Sequence, residues 1–86
     1  MALPGSKSDK RKARERWRKT AGAVIAHTRK DNDLTQEELA RRMGLSVDTV
    51  GAMETGRRKV EVGDVIEAAK ALNVEPAKML QRILAW

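Results

Sequence analysis

The residue types best placed to do chemistry in this chain are its cations. Arg57-Arg58-Lys59 follows Gly56 directly, and eight further bases (Lys7, Lys10, Arg11, Lys12, Arg14, Arg16, Arg18, Lys19) precede residue 20, with only Asp9 and Glu15 among them. Guanidinium groups engage phosphate oxygens in a bidentate fork and ammonium groups engage them as point charges. Over 86 residues the chain holds 18 Lys+Arg and 12 Asp+Glu, a formal charge of +6. All of that excess lies in residues 1–19, since residues 20–86 hold ten bases and ten acids. A basic arm on a neutral domain points to a polyanionic partner more strongly than an even spread of charge does. Its plainer use is as a solubilising tail.

Other chemistries find little support. His27 is the sole histidine and there is no cysteine, so neither a disulfide frame nor a thiolate metal site is available. No nucleophile–base–orienter set and no glycine-rich phosphate loop occurs, and Ser6 and Ser8 lack a nearby histidine. Trp17 and Trp86 have the faces to stack on bases, but such residues more often anchor a helix end. No enzyme, cofactor or metal is expected. No apolar stretch approaches the roughly 18 residues of a membrane span, and no secretory signal is seen. A cytoplasmic, nucleoid-associated protein is the expectation.

The elements that must position these cations are helical. Phe and Tyr are absent and β-branched residues do not alternate, so an all-α fold is expected. Residues 1–8, with Pro4, Gly5, Ser6 and Ser8, read as unstructured. Asp9 to Lys19 reads as a frayed extension of the next helix or as an arm that orders on binding. The domain proper is expected over 20–86. Its first helix runs from about Thr20 to Lys30, burying Ala21, Val24, Ile25 and Thr28, and Asp31-Asn32-Asp33 suits a tight connection. Thr35 and Glu38 form a T-x-x-E capping box for a second helix with Leu39, Ala40 and Met43 inward. Gly44 suits the left-handed position that ends it, and Ser46 caps a third helix with Val50 and Met53 inward, closed by Gly56. A fourth helix spans about Val62 to Leu72, with Val65, Ile66, Ala69 and Leu72 inward and Asn73 as a left-handed stop. Pro76 opens a fifth helix that runs to Trp86. Its apolar positions 79, 80, 83, 84 and 86 form too wide a stripe for one buried face. Either Met79 with Ile83 or Leu80 with Leu84 packs inward, and the remainder suggests a homodimer seam, unless the helix is buried more deeply than its length implies.

Taken in order, Ile25-Ala-His-Thr-Arg29, Leu34-Thr-Gln-Glu-Glu-Leu-Ala40, Gly44-Leu-Ser46, Val50, Glu54-Thr-Gly56 and Ala69-Lys-Ala-Leu72-Asn-Val74 resemble the Cro/C1-type (XRE-like) helix-turn-helix family over residues 21 to 80. The resemblance implies a compact five-helix, lambda-repressor-like domain that binds double-stranded DNA, commonly as a dimer and commonly as a repressor of bacterial, phage or mobile-element genes. It implies that Gln36 contacts phosphate and that Arg29 and Glu54 form a structural ion pair. It makes the third helix the recognition helix, with Ser46, Val47, Asp48 and Thr49 nearest the bases. The basic segment before residue 20 lies outside the family pattern.

The recognition positions are plain. Val47, Asp48, Thr49, Gly51, Ala52 and Thr55 include no Arg, Lys, Asn or Gln, the types that make bidentate contacts to purine edges. Asp48 could accept from cytosine N4, and Val47 or Ala52 could touch a thymine methyl, thin sources of discrimination. Two readings compete. In the first, the domain binds DNA through Gln36, Arg41, Arg42, Arg57, Arg58 and Lys59, with Lys10, Arg11, Lys12 and Arg14 of the arm on phosphates or in the minor groove. In the second, the fold serves mainly for protein binding, as an anti-activator or antitoxin. Arg41 and Arg42 also have a bland use, paired at helical spacing with Glu37 and Glu38.

Overall fold

Five helices follow one another in the computed structural model, which describes residues 7–86: α1 (Lys7–Asp31), α2 (Gln36–Met43), α3 (Val47–Glu54), α4 (Val62–Ala71) and α5 (Pro76–Ala85). The segment expected to be unstructured falls mostly on residues 1–6, outside the described residues, while Lys7 and Ser8 belong to α1. The first helix therefore starts thirteen residues before the expected Thr20. Lys, Arg, Ala and Glu are strong helix formers, and a helix already nucleated by a packed half extends at little cost. At about 1.5 Å per residue, 25 residues make a rod of roughly 37 Å. This rod gives the molecule its long dimension, 45 × 24 × 18 Å.

The core is continuous. Ala21, Val24 and Ile25 of α1 meet Leu39 and Ala40 of α2, Val50 and Met53 of α3, Val65, Ala68 and Ala69 of α4, and Met79 and Ile83 of α5. Val60 and Leu72, just outside the helices, are also buried. On α4 the buried face is Val65, Ala68, Ala69 and Leu72, with Ile66 only half-buried. The steps of three and four between 65, 68, 69 and 72 keep those residues on one stripe, and residue 66 falls beside it. On α5 the pair that packs inward is Met79 with Ile83, while Leu84 is 80% and Trp86 61% exposed. Buried Thr28 donates to Met79 Sδ (3.9 Å) and accepts from Arg82 Nη1 (3.4 Å), so its hydroxyl has partners inside.

The connections use the expected residues. Asp33 and Asn73 adopt left-handed φ of 56° and 59°, which short polar side chains tolerate. Gly44, at φ 70°, caps α2, and its N–H returns to the carbonyls of Ala40 and Arg41. A side chain at this φ is strained, so the tight turn into α3 depends on glycine.

Candidate nucleic-acid interface

The two helices of the motif are capped and then locked. Thr35 Oγ1 accepts from Glu38 N–H (3.1 Å) and Ser46 Oγ from Thr49 N–H (3.1 Å), each satisfying an orphan donor of a first turn. At the start of α4, the Glu61 N–H donates to the Asp64 side chain (Oδ2, 2.9 Å). At the far end of α3, Glu54 accepts from Arg29 Nε (2.7 Å) and Nη2 (3.1 Å) and from Gln36 Nε2 (2.9 Å). Arg29 Nη1 also donates to the Leu34 carbonyl (2.7 Å). One carboxylate thus ties α1, the start of α2 and the end of α3 together. The Arg29 and Glu54 side chains are 10% and 4% exposed, so each charge depends on the other for solvation. Gly22 lets the backbones meet, because a Cβ there would fall on the Met53 carbonyl oxygen and press on that of Glu54.

With its far end fixed, α3 presents its first turn outward. Ser46, Val47 and Asp48 are exposed, and Thr49, Gly51 and Ala52 are half-buried. Thr49 Oγ1 lies 2.8 Å from Ser46 Oγ, and Thr55 Oγ1 donates to the Gly51 carbonyl (3.0 Å). Both threonines therefore spend hydrogen bonds on their own helix. Gln36 is half-buried beside Gly51, and its amide NH2 gives one of its two hydrogens to Glu54. Arg41 is exposed. Arg42 is exposed too but reaches the end of α4, where its Nη1 donates to the Ala71 carbonyl (2.9 Å), an orphan acceptor that a cation suits.

The basic loop and the basic arm meet in space. Arg57, Arg58 and Lys59 are exposed, and Arg57 Nε donates to Thr55 Oγ1 (3.1 Å). Gly56 passes close to Lys19 Cα, and Trp17 Nε1–H donates to the Val60 carbonyl (2.6 Å). A cleft of about 460 Å³ lies between the arm and the loop, lined by Ala13, Arg14, Trp17, Arg18 and Lys59. Lys10, Arg11, Lys12 and Arg14 are all exposed on α1. Trp17, expected either to stack on bases or to anchor a helix end, and Arg18, one of the eight bases of the arm, join this surface. The signal was there, since Arg11, Arg14 and Arg18 are three and four residues apart and share one helix face.

On the other side of Trp17, a second cleft of about 280 Å³ is lined by Ala13, Arg16, Trp17, Thr20, Ile83, Leu84 and Trp86. His27 is exposed, lies 3.3 Å from Asp31 one turn on, and meets the Trp86 ring at a centroid distance of 5.2 Å. Trp86 thus rests on a surface histidine, whereas Trp17 is the tryptophan that anchors. Among the described residues no His/Cys/Asp/Glu group is arranged to hold a metal ion, and no helix is long and apolar enough to cross a membrane.

A locked two-helix unit with one exposed helix start defines a helix-turn-helix domain. Residues 25–79 match the Helix-turn-helix family, and the chain belongs to it. It is 36% identical over 63 residues to the "Uncharacterized HTH-type transcriptional regulator y4dJ" of Sinorhizobium fredii, covering 73% of this chain and 82% of that protein. To control protein C.SmaI of Serratia marcescens it is 41% identical over 51 residues, 59% of this chain and 61% of that protein. Among solved structures, the clp gene regulator ClgR from C. glutamicum superposes with a TM-score of 0.75 at 26% identity, covering 80% of this chain and 90% of that one. The restriction-modification controller protein C.AhdI from Aeromonas hydrophila superposes with a TM-score of 0.66 at 33% identity, covering 71% and 92%.

Proposed function

We propose that this helix-turn-helix regulator is a non-enzymatic, Cro/C1-type transcriptional regulator that binds double-stranded DNA, most simply as a repressor. The first turn of α3 enters the major groove, and phosphates are held by Gln36, Arg41, Arg42 and the Arg57–Lys59 loop, with the arm adding further contacts. The observation that carries this reading is the juxtaposition of an outward helix start, Ser46 to Thr49, with an exposed cationic loop directly after the same helix. A locked helix and nearby phosphate-binding cations are the two requirements for register on a duplex. The apolar, exposed Leu84 and Trp86 support pairing of two copies through α5. In sedimentation equilibrium the mass should rise with concentration, and Leu84→Glu should hold it at the monomer value; a constant monomer mass for the unaltered chain removes the dimer.

Binding to the DNA upstream of its own gene, titrated with salt, tests the main claim. Log K should fall by about 0.9 per log unit of salt for each phosphate neutralised. Arg57→Ala with Arg58→Ala should weaken all sequences alike. Equal affinity for upstream and random DNA would mean that α3 does not read sequence. A second reading, a surface for another protein, is favoured by one observation: exposed α3 positions Val47 and Asp48 offer no bidentate donor to a base. A stoichiometric protein partner that covers α3 and excludes DNA would establish it in place of the first.

A further inference from the structure

We infer that the cleft between the α1 overhang and the loop after α3 is a second phosphate-binding site, in which Arg14, Arg18 and Lys59 grip the DNA backbone beside the stretch that α3 occupies. This inference rests on the DNA-binding reading and adds to it a fixed site in which Arg14 and Arg18 of the arm act together with Lys59 of the loop. Helix geometry supplies the first argument. At 3.6 residues per turn, Arg11, Arg14, Arg18, Gly22, Ile25 and Arg29 share one face of α1. Within the domain that face meets the end of α3, through Gly22 against the Met53 and Glu54 carbonyls and through Arg29 on Glu54. Beyond the domain the same face becomes a cationic stripe, and it emerges on the side where Gly56 to Lys59 leave α3. The stripe therefore continues from the recognition helix in a fixed direction.

Rigidity supplies the second argument. The Trp17 indole lies in the cleft wall and its N–H donates to the Val60 carbonyl (2.6 Å), tying the overhang to the loop. Arg14, Arg18 and Lys59 are exposed around it. The Arg29–Glu54 and His27–Asp31 ion pairs draw on none of the three. Three cations around one cleft repel one another, and a phosphodiester relieves that repulsion. A pre-positioned site of this kind also avoids the ordering cost that a free basic tail incurs on binding.

The test compares two charge-matched triple variants on a random-sequence duplex, reading log K against log salt. Arg14→Ala/Arg18→Ala/Lys59→Ala should make the slope shallower by about 2.7, from three phosphates at 0.9 each. Lys30→Ala/Lys70→Ala/Lys78→Ala, which removes three exposed cations outside both the cleft and the arm, should change it by less than one. Equal loss from both triples, or no loss from the first, overturns the site. If the first triple has no effect while Arg57→Ala/Arg58→Ala still weakens binding, the cleft fails and the DNA-binding reading survives; if the unaltered chain shows no salt-dependent binding to any duplex, both fall. In a Trp86→Phe background, Trp17 emission should respond to the duplex and not to inorganic phosphate at equal phosphate concentration. A response to inorganic phosphate alone would make the cleft a small-anion site and overturn the inference.

Discussion

From Thr20 to Asp31, α1 buries Ala21, Val24, Ile25 and Thr28 among its neighbours, whereas from Asp9 to Lys19 the same helix exposes every side chain except half-buried Trp17. The first stretch holds its one buried cation, Arg29, in a carboxylate clamp, and the second leaves its cations facing water. The contrast teaches that a single helix carries two kinds of constraint. Packing and a desolvated ion pair determine the inner half, so almost any change there costs stability. The outer half answers to helix propensity, one tryptophan and charge, so changes there should alter what the protein binds rather than whether it folds.

The largest break of that contrast is Glu54→Ala, which strands Arg29 and frees Gln36. It should lower stability by about 3–5 kcal/mol in urea-induced unfolding, the cost of a buried charge left without its partner. Gly22→Ala comes next, because its methyl group has to push against the backbone of α3. A loss of about 1–3 kcal/mol is expected from such overpacking, together with chemical-shift changes at Met53 and Glu54 in NMR spectra. Trp17→Phe keeps all the charge and removes the bond to Val60. It should cost about 1 kcal/mol in thermal unfolding and raise amide hydrogen exchange along residues 9–19, where a tie is lost. Lys10→Ala with Arg11→Ala should be the mildest, moving stability by no more than about 0.5 kcal/mol. A clear loss of stability from this last pair would show that the outer half is as integral to the fold as the inner one.

The inner half was largely legible in the sequence. Ala21, Val24, Ile25 and Thr28 stand at helical spacing, and the caps at Thr35, Gly44 and Ser46 are local signals that the chain obeys. Ile66 was misplaced because residues 65 and 66 are both apolar neighbours on a short helix, while Ala68 is small enough to pass for a surface residue. The reach of α1 was harder to read, since a segment polar on nearly every side has no hydrophobic period to mark it as helix. The cleft was harder still. Residues 14 to 18 and residue 59 are far apart along the chain, and their meeting depends on the Trp17–Val60 bond, a tertiary contact with no local signature.

The absent side chain at Gly22 has a mechanical consequence. With backbone seated on backbone and no side chain between them, the direction of the α1 overhang is tied at that contact to the seating of α3. The overhang, from Gly22 to Lys7, spans fifteen residues, roughly 22 Å at the helical rise. A tilt of α3 by about 10° therefore sweeps the tip by about 4 Å. That displacement is comparable to the rise between adjacent base pairs, about 3.4 Å. A small reseating of one helix would thus appear at the other end as a displacement of several ångströms.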